Sequence, residues 1–479
     1  MAGKSLNKTN LKALGADVLA DLLLEAVKGD AARQRRVRLA LSSEQSPEDA
    51  AADIRKRLAQ IRRAKSRISA RAQRTLAKEL TGLVALTEAR IAPQDAELGF
   101  DLLWSLLHLA PDIYARTDDS TGTLGDVMRA AMEAIHTLAP RLDMAPAQLA
   151  EQVFEALQDN DFGAFDGVIP ALSDALGDRG LAALKAHANA AKQTPVSIED
   201  KTPLGRSMFA EQRLERAKDR QSRMLRMILS DIADAQGDVD SWLAQYSAQE
   251  LSTHTLAPAA ARRLLNAGRA DEALHFIQRG IASVQRSARA IDTSQLDSAH
   301  FACLDALGHE DDLRRAMWAR FETQLCAETL RRYLSRLPDF EDDEALHTAR
   351  AHVRAAPGLL QALVFCVNWP DPMLAADIVQ ARHDALDGAA YDILDPTAQL
   401  LAPEHPLAAC LVWRAMIRFA LHTGRTQRGR HAARHLAACA QADMAITDYG
   451  AHQSHEAFVA GLRRSYPRRR GFWDRIDPQ

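Results

Sequence analysis

Apolar positions recur every three or four residues along most of the chain, the spacing of one face of an α-helix. Leu11, Leu14, Val18 and Leu22 follow Asn10, a residue suited to capping a helix N-terminus. Ile54, Leu58, Ile61 and Ile68 form a stripe one residue wide on a strongly basic segment. Met224, Leu225, Ile228, Leu229 and Ile232 form another. Alternating runs of β-branched residues joined by hairpin dipeptides are missing, and Asp387-Gly388 sits between helical patterns. Aromatic residues make up 5% of the chain, while Ala, Leu and Arg, all good helix formers, dominate. The pattern predicts an all-α protein.

The second half repeats one device. LLNAGRADEALHFI at 264–277 reads as a helix end, a glycine turn and a new helix. LDALGHEDDLRRAMW at 304–318 reads the same way, with Gly308 placed 40 residues after Gly268, and LHTGRTQRGRHAARHL at 421–436 does so again at Gly424. A helix commonly ends on a left-handed residue, which glycine adopts at least cost. Helical hairpins recurring at such intervals predict a tetratricopeptide-like stack, here a degenerate α-solenoid because the spacing is irregular. Turns in an ordinary α-bundle are the competing reading. The segment KQTPVSIEDKTPLGR at 192–206 has two prolines and no helical stripe, which marks a linker. The expected organisation is an N-terminal helical domain over 1–190, a linker over 191–206, and a helical superhelix over 207–479.

Charge sharpens this picture. The net charge is −3, yet residues 31–80 hold 14 Lys and Arg against 5 Asp and Glu, so the remainder is acidic. Residues 141–190 hold three basic against eight acidic residues. Such asymmetry suits a charged partner, or two parts of one chain attracting each other. Five cysteines at 303, 326, 366, 410 and 439 form no Cys-x-x-Cys, which reads as small buried hydrophobes in a reducing, cytoplasmic setting. The longest strongly apolar stretches, 102–110 and 359–367, are too short to span a membrane, so no membrane partner is expected. The polar N-terminus has no signal-peptide core.

Several segments carry a resemblance. The opening LNKTNL at 6–11, WLAQYSAQEL at 242–251, RRLLNAGRADEAL at 262–274 and YLSRLPDFEDDEA at 333–345 are similar in order and spacing to a bacterial all-helical domain-of-unknown-function family. So are LAPEHPLAACLVWRAMIRFAL at 401–421 and SYPRRRGFW at 465–473. The resemblance implies a tetratricopeptide-like helical fold in a bacterial cytoplasmic protein, with no established activity and no catalytic residues to transfer. Some helical segments also resemble those accompanying SWIM-type zinc fingers, but the finger's own Cys and His motif is absent here.

Candidate chemistry is sparse. Phosphate-binding glycine loops, a dinucleotide fingerprint and a nucleophile elbow are absent, so no catalytic residue and no cofactor is predicted. His309-Glu310 and His455-Glu456 lack the second histidine of a zinc-protease helix. The stretch at 159–166 resembles a calcium loop with its glycine misplaced and Pro170 at the twelfth position, so a turn between helices is expected. His431, His435 and Cys439 share a helix face and, with His422, could be drawn together on a metal; a histidine face packed on a neighbouring helix is the plainer reading, and no metal is predicted. His405 with Cys410 lacks the orienting group that a thiol–imidazole pair needs. The acidic run 341–344 reads as the favourable start of a helix.

The basic segments are the most informative. Arg55, Arg62, Arg63, Arg67, Arg71 and Arg74 surround the predicted helix 54–78, which could lie across phosphates or could pair with acidic residues of the same chain. Arg468, Arg469 and Arg470 precede Phe472 and Trp473, the composition of a single-strand stacking site or of an aromatic pin for the last helix. The leading expectation is a non-enzymatic scaffold or adaptor that binds a protein or peptide on the concave face of a solenoid. Nucleic-acid association through 54–78 and 463–473 is the alternative.

Overall fold

The computed structural model describes residues 5–30, 33–34, 37–38, 41, 46–195, 207–286, 291–423 and 426–476, without the side chains of 207–210 and 426–428. Among the described residues the regular structure is helical and no strand occurs, so the all-α class holds. The chain forms two compact units, Met1–Leu251 and Ser252–Gln479. The expected linker falls largely on 196–206, outside the described residues.

In the first unit, α1 (Lys8–Lys12) is capped by Asn7, whose side chain accepts from the Asn10 amide, so Asn10 lies inside a helix rather than ahead of one. Gly15, at φ +83°, then starts α2 (Ala16–Val27). Val18, Leu22, Leu23 and Leu24 of α2 stay exposed.

The basic stripe helix is in fact two helices. Ser46 caps α3 (Pro47–Arg63), with Pro47 at the position where its missing N–H costs nothing. The backbone turns extended at Ala64, and Ser69 caps α4 (Ala70–Leu86). Between them the Ile68 amide donates to the Arg116 carbonyl at 2.9 Å, a bond that a continuous helix would forfeit. Ile54, Leu58 and Ile61 are buried as the stripe requires, whereas Ile68 packs from the turn.

A wider π-turn at Thr87–Ile91 leads to α5 (Ala96–Leu107), α6 (Ala110–Tyr114) and α7 (Thr123–Leu138). Then come α8 (Pro146–Gln158), α9 (Val168–Ala171), α10 (Ser173–Gln193), the long α11 (Ser207–Gln236) and α12 (Val239–Leu243). Helices distant in sequence meet here: α4 packs on α7, α8 on both α10 and α11, and α3 on α5 and α6. One continuous core results, running from Ala50 to Ile232 with Phe100, Leu103, Leu107 and Ile135 at its centre. The stretch 159–166 is a turn between helices, in which the Asn160 side chain accepts from the Phe165 amide and donates to Asp166.

The second unit is a run of hairpins. Its helices are α13 (Leu256–Asn266), α14 (Ala270–Gln285), α15 (Ser294–Ala306), α16 (Glu310–Gln324), α17 (Ala327–Leu334) and α18 (Glu341–Ala355). They continue through α19 (Leu359–Asn368), α20 (Pro372–Arg382), α21 (Tyr391–Leu401), α22 (Pro406–Thr423) and α23 (Thr426–Asp443) to the short α24 (His455–Ser465) and α25 (Arg470–Trp473).

Gly268 and Gly308 take φ +73° and +69° at the α13–α14 and α15–α16 turns, as their spacing predicts. Gly424 lies outside the described residues. The acidic run 341–344 opens α18. Each helix packs chiefly on the next and the next but one, the arrangement of a stack of helical hairpins. Gly388 supports one of these contacts: a Cβ there would meet the backbone of Ala415 on α22 and the Phe419 side chain.

Candidate functional site

In the second unit a groove lies between α13 and α15, the first helices of two consecutive hairpins. Ala257, Ala260, Ala261 and Leu264 turn the apolar side of α13 inward, and Leu296, Phe301 and Leu304 do the same for α15. Beneath them α14 nests at Gly280, where a Cβ would stand 3.0 Å from both the Ala257 Cβ and a Leu296 methyl. That close approach seats α14 under both helices and leaves their outer sides facing each other across an open groove of about 760 Å³. Ala259, Ala299 and Ala302 line it with small side chains, so a main chain could come close. Asn266, Gln295, Ser294 and Ser298 offer amides and hydroxyls. Arg262 supplies the charge, and no carboxylate is among the described lining residues. Such a surface suits an extended segment bound through its backbone.

The basic face of the first unit divides into two sets. Arg55 approaches Asp101 at 4.0 Å and Arg62 approaches Asp112 at 3.8 Å. Arg57 makes a bidentate pair with Glu79, both bonds at 2.8 Å, tying α3 to α4. These three neutralise acids on neighbouring helices of the same unit. Arg63, Arg67, Arg71 and Arg74 are exposed, and Arg71 and Arg74 rise on one side of α4. Burial, the larger cause, leaves Asp101 with a pKa above the ordinary carboxylate value despite Arg55.

At the other end of the chain, Phe472 is buried and anchors α25. The Trp473 indole donates to the Tyr466 carbonyl at 3.0 Å, and the Arg463 guanidinium covers its face at 4.5 Å. Arg468 and Arg470 are exposed, while Arg469 is half-buried, with a nitrogen 3.5 Å from the His422 carbonyl.

The sequence profile of a family of unknown function, DUF6880, matches residues 1–475. The chain belongs to this family. No curated protein matches it. A solved structure described as a circular tandem repeat protein with novel repeat topology and enhanced subunit contact surfaces is 13% identical, over 96% of this chain and 97% of its own, with a TM-score of 0.18. At that TM-score the likeness carries no argument. In this DUF6880 chain no helix among the described residues is long and apolar enough to cross a membrane.

The histidine face of the DUF6880 chain splits between two environments. His422 and His431 are exposed, whereas His435 and Cys439 are buried and face different partners. The Tyr391 hydroxyl is hydrogen-bonded to His435 Nε2 and accepts from Arg434 at 3.2 Å. Burial pushes His435 down to about 4, so the imidazole is neutral at pH 7 and its 3.9 Å approach to Asp395 is no ion pair. No group of three His, Cys, Asp or Glu placed to hold a metal occurs among the described residues.

Two features escape sequence reading. The groove is lined by alanines that look like core, and Gly280 sits mid-helix with no turn to announce it. Arg414 is the other: a permanently charged side chain 3% exposed in the middle of α22, where a helical stripe predicts an apolar residue.

Proposed function

We propose that this chain is a non-enzymatic cytoplasmic scaffold or adaptor, and that the groove between α13 and α15 takes an extended segment of a partner protein. The observation that carries the reading is the lining itself: small residues, hydroxyl and amide groups, and Arg262 with no carboxylate among the described lining residues. Side chains of that kind bond a main chain and leave room for it, and they supply none of the paired titratable groups that bond-breaking chemistry uses. The tetratricopeptide-like character expected from the glycine turns favours the same use, because a stack of hairpins presents a long continuous surface.

The test is capture of partners by the tagged full chain and by an Ala299→Tyr variant, which fills the groove from a half-buried position in its wall. A protein recovered with the wild type after nuclease treatment and lost with Ala299→Tyr supports the reading. A partner retained equally by both places the contact elsewhere and removes the groove from the account.

A second reading rests on Arg63, Arg67, Arg71 and Arg74, exposed on α3, α4 and the turn between them. These could follow a phosphate backbone, with Arg468 and Arg470 as further contacts, while Arg55, Arg62 and Trp473, already engaged within the chain, would add less. Binding of that kind falls steeply with salt, so a single-stranded oligonucleotide titrated at low and moderate ionic strength would lose most of its affinity. Charge reversal at Arg71 and Arg74 would abolish what remains. Affinity insensitive to either change would end this reading.

A further inference from the structure

The last long hairpin of the second unit brings two cysteines face to face. Cys410 lies thirteen residues before the end of α22 and Cys439 thirteen residues after the start of α23, so a short connection between antiparallel helices sets them opposite each other. Ala408, Ala409, Ala432 and Ala433, small residues on the same two helices, are buried in the core of this unit. The Cys410 thiol lies 3.7 Å from the Cys439 carbonyl, and the Cys439 thiol 4.0 Å from the Cys410 carbonyl.

Arg414 stands one turn along from Cys410. Its Nη1 donates to the Gln453 carbonyl at 2.6 Å, and its guanidinium lies over the rings of Phe458 at 4.8 Å and Tyr449 at 5.3 Å. Nε and Nη2 are buried without a hydrogen-bond partner among the described residues. A guanidinium cannot shed its charge, and a buried cation left with two unused donors favours an anion nearby. Asp443, an acid in the same neighbourhood, already accepts from the Tyr449 hydroxyl at 2.7 Å. His455, also near, has a buried Nδ1 with no partner and is held below its ordinary value by burial. The Cys410 sulfur, one helical turn before Arg414 on α22, is a group able to become an anion, whereas burial and Asp443 push the Tyr449 phenol up. Its thiol is drawn below its ordinary value first by the hydrogen bond from Cys439 and further by Arg414, against burial and Asp443. Cys439, the donor of that bond, is raised.

We propose that Cys410 and Cys439 form a redox-active dithiol, in which a hydroperoxide oxidises Cys410 and Cys439 closes a disulfide locking α22 to α23. The Cys410 thiolate attacks one peroxide oxygen and the O–O bond breaks. That leaves a sulfenic acid on Cys410 and, with hydrogen peroxide, one water once the departing hydroxide is protonated. Cys439 then loses its proton and attacks the Cys410 sulfur; the S–O bond breaks and a second water leaves. Two thiols are oxidised and one peroxide is reduced. Both sulfurs are shielded in the closed hairpin, so the oxidant enters as α23 lifts from α22, an opening that exposes the two together.

The experiment treats the reduced full-length protein with graded hydrogen peroxide while its far-UV helical signal stays unchanged, then maps the cysteines by mass spectrometry without reduction. The expected product is a peptide pair joined at 410 and 439 and lighter by two hydrogens, with Cys303 and Cys366 still free thiols. Arg414→Met slows closure at pH 7 by at least about tenfold, and Arg414→Lys, which keeps the charge, stays within a few-fold of the wild type. The wild-type map stands alone should either variant fail to fold. Recovery of Cys410 and Cys439 as free thiols while the half-exposed Cys326 is oxidised would overturn the proposal. A 410–439 disulfide that forms only after the helical signal is lost would overturn it equally.

Discussion

The two units are built from the same kind of helix and differ in how far along the chain each helix finds its partners. In Met1–Leu251, α4 reaches α7 and α8 reaches α11, and the buried residues from Ala50 to Ile232 form one core. In Ser252–Gln479 the contacts run from each helix to the next two, and a smaller cluster around Phe301, Leu313 and Met317 is separate from the main one. Distant contacts couple a whole unit, whereas neighbour contacts allow a stack to open piecewise. In the second unit a groove lies where the first helices of consecutive hairpins, α13 and α15, expose neighbouring sides.

The largest effect that could break this comparison is a matched pair of core truncations. Leu103→Ala in the first unit and Leu363→Ala in the second each remove a fully buried side chain and should each cost about 3 kcal/mol. Hydrogen exchange should show protection falling throughout the first unit for Leu103→Ala, but only around α18–α21 for Leu363→Ala. Uniform loss across the second unit would mean its hairpins are coupled as tightly as the first core.

A comparable effect is expected from acid. Burial holds the folded His435 at about 4, below the ordinary imidazole value, so on acidification the unfolded chain takes up its proton first. This contribution is fully present above about pH 6.5 and is lost as pH falls toward 4, on the order of 3 kcal/mol in all. Urea midpoints against pH should show that loss in the wild type and a shallower slope in His435→Gln.

Gly388→Ala comes next. The new methyl would press on the backbone of α22, which cannot swing aside as a side chain could, so a cost of about 2 kcal/mol is expected in a melt of the second unit. The smallest effect concerns the basic face: removing the Arg57–Glu79 pair by Arg57→Ala should cost about 1 kcal/mol and fade with salt, as measured by thermal melts at two ionic strengths.

The sequence exposes some of this architecture and hides the rest for definite reasons. All-helical structure and the turns at Gly268 and Gly308 were legible because spacing and left-handed glycines are local properties. The break between α3 and α4 was not, since Ile61 and Ile68 keep helical phase across it and neither proline nor glycine marks it. Ser69 as a cap was the available signal, and it mattered because Arg116 offers a carbonyl from far along the chain. Asn10 looked like a cap while Asn7 performed that role, one turn earlier. His431, His435 and Cys439 do lie along one helix, but a buried helix has an inside and an outside that spacing alone does not assign. Cys410 and Cys439 each stand thirteen residues from the facing ends of α22 and α23, a symmetry that shows only once those ends are known. Pairing of the basic segment with Asp101, Asp112 and Glu79 was foreseeable as a charge balance and not as particular contacts.

The groove between α13 and α15 is the centre of the functional account, and a photo-crosslinker placed at Ala299 in the full chain tests it most directly. Expressed in the native host, illuminated and digested with nuclease, it should join one defined protein through an extended segment, and Arg262→Glu should weaken that product. Crosslinks dispersed over many proteins, or a product indifferent to Arg262, would contradict the account.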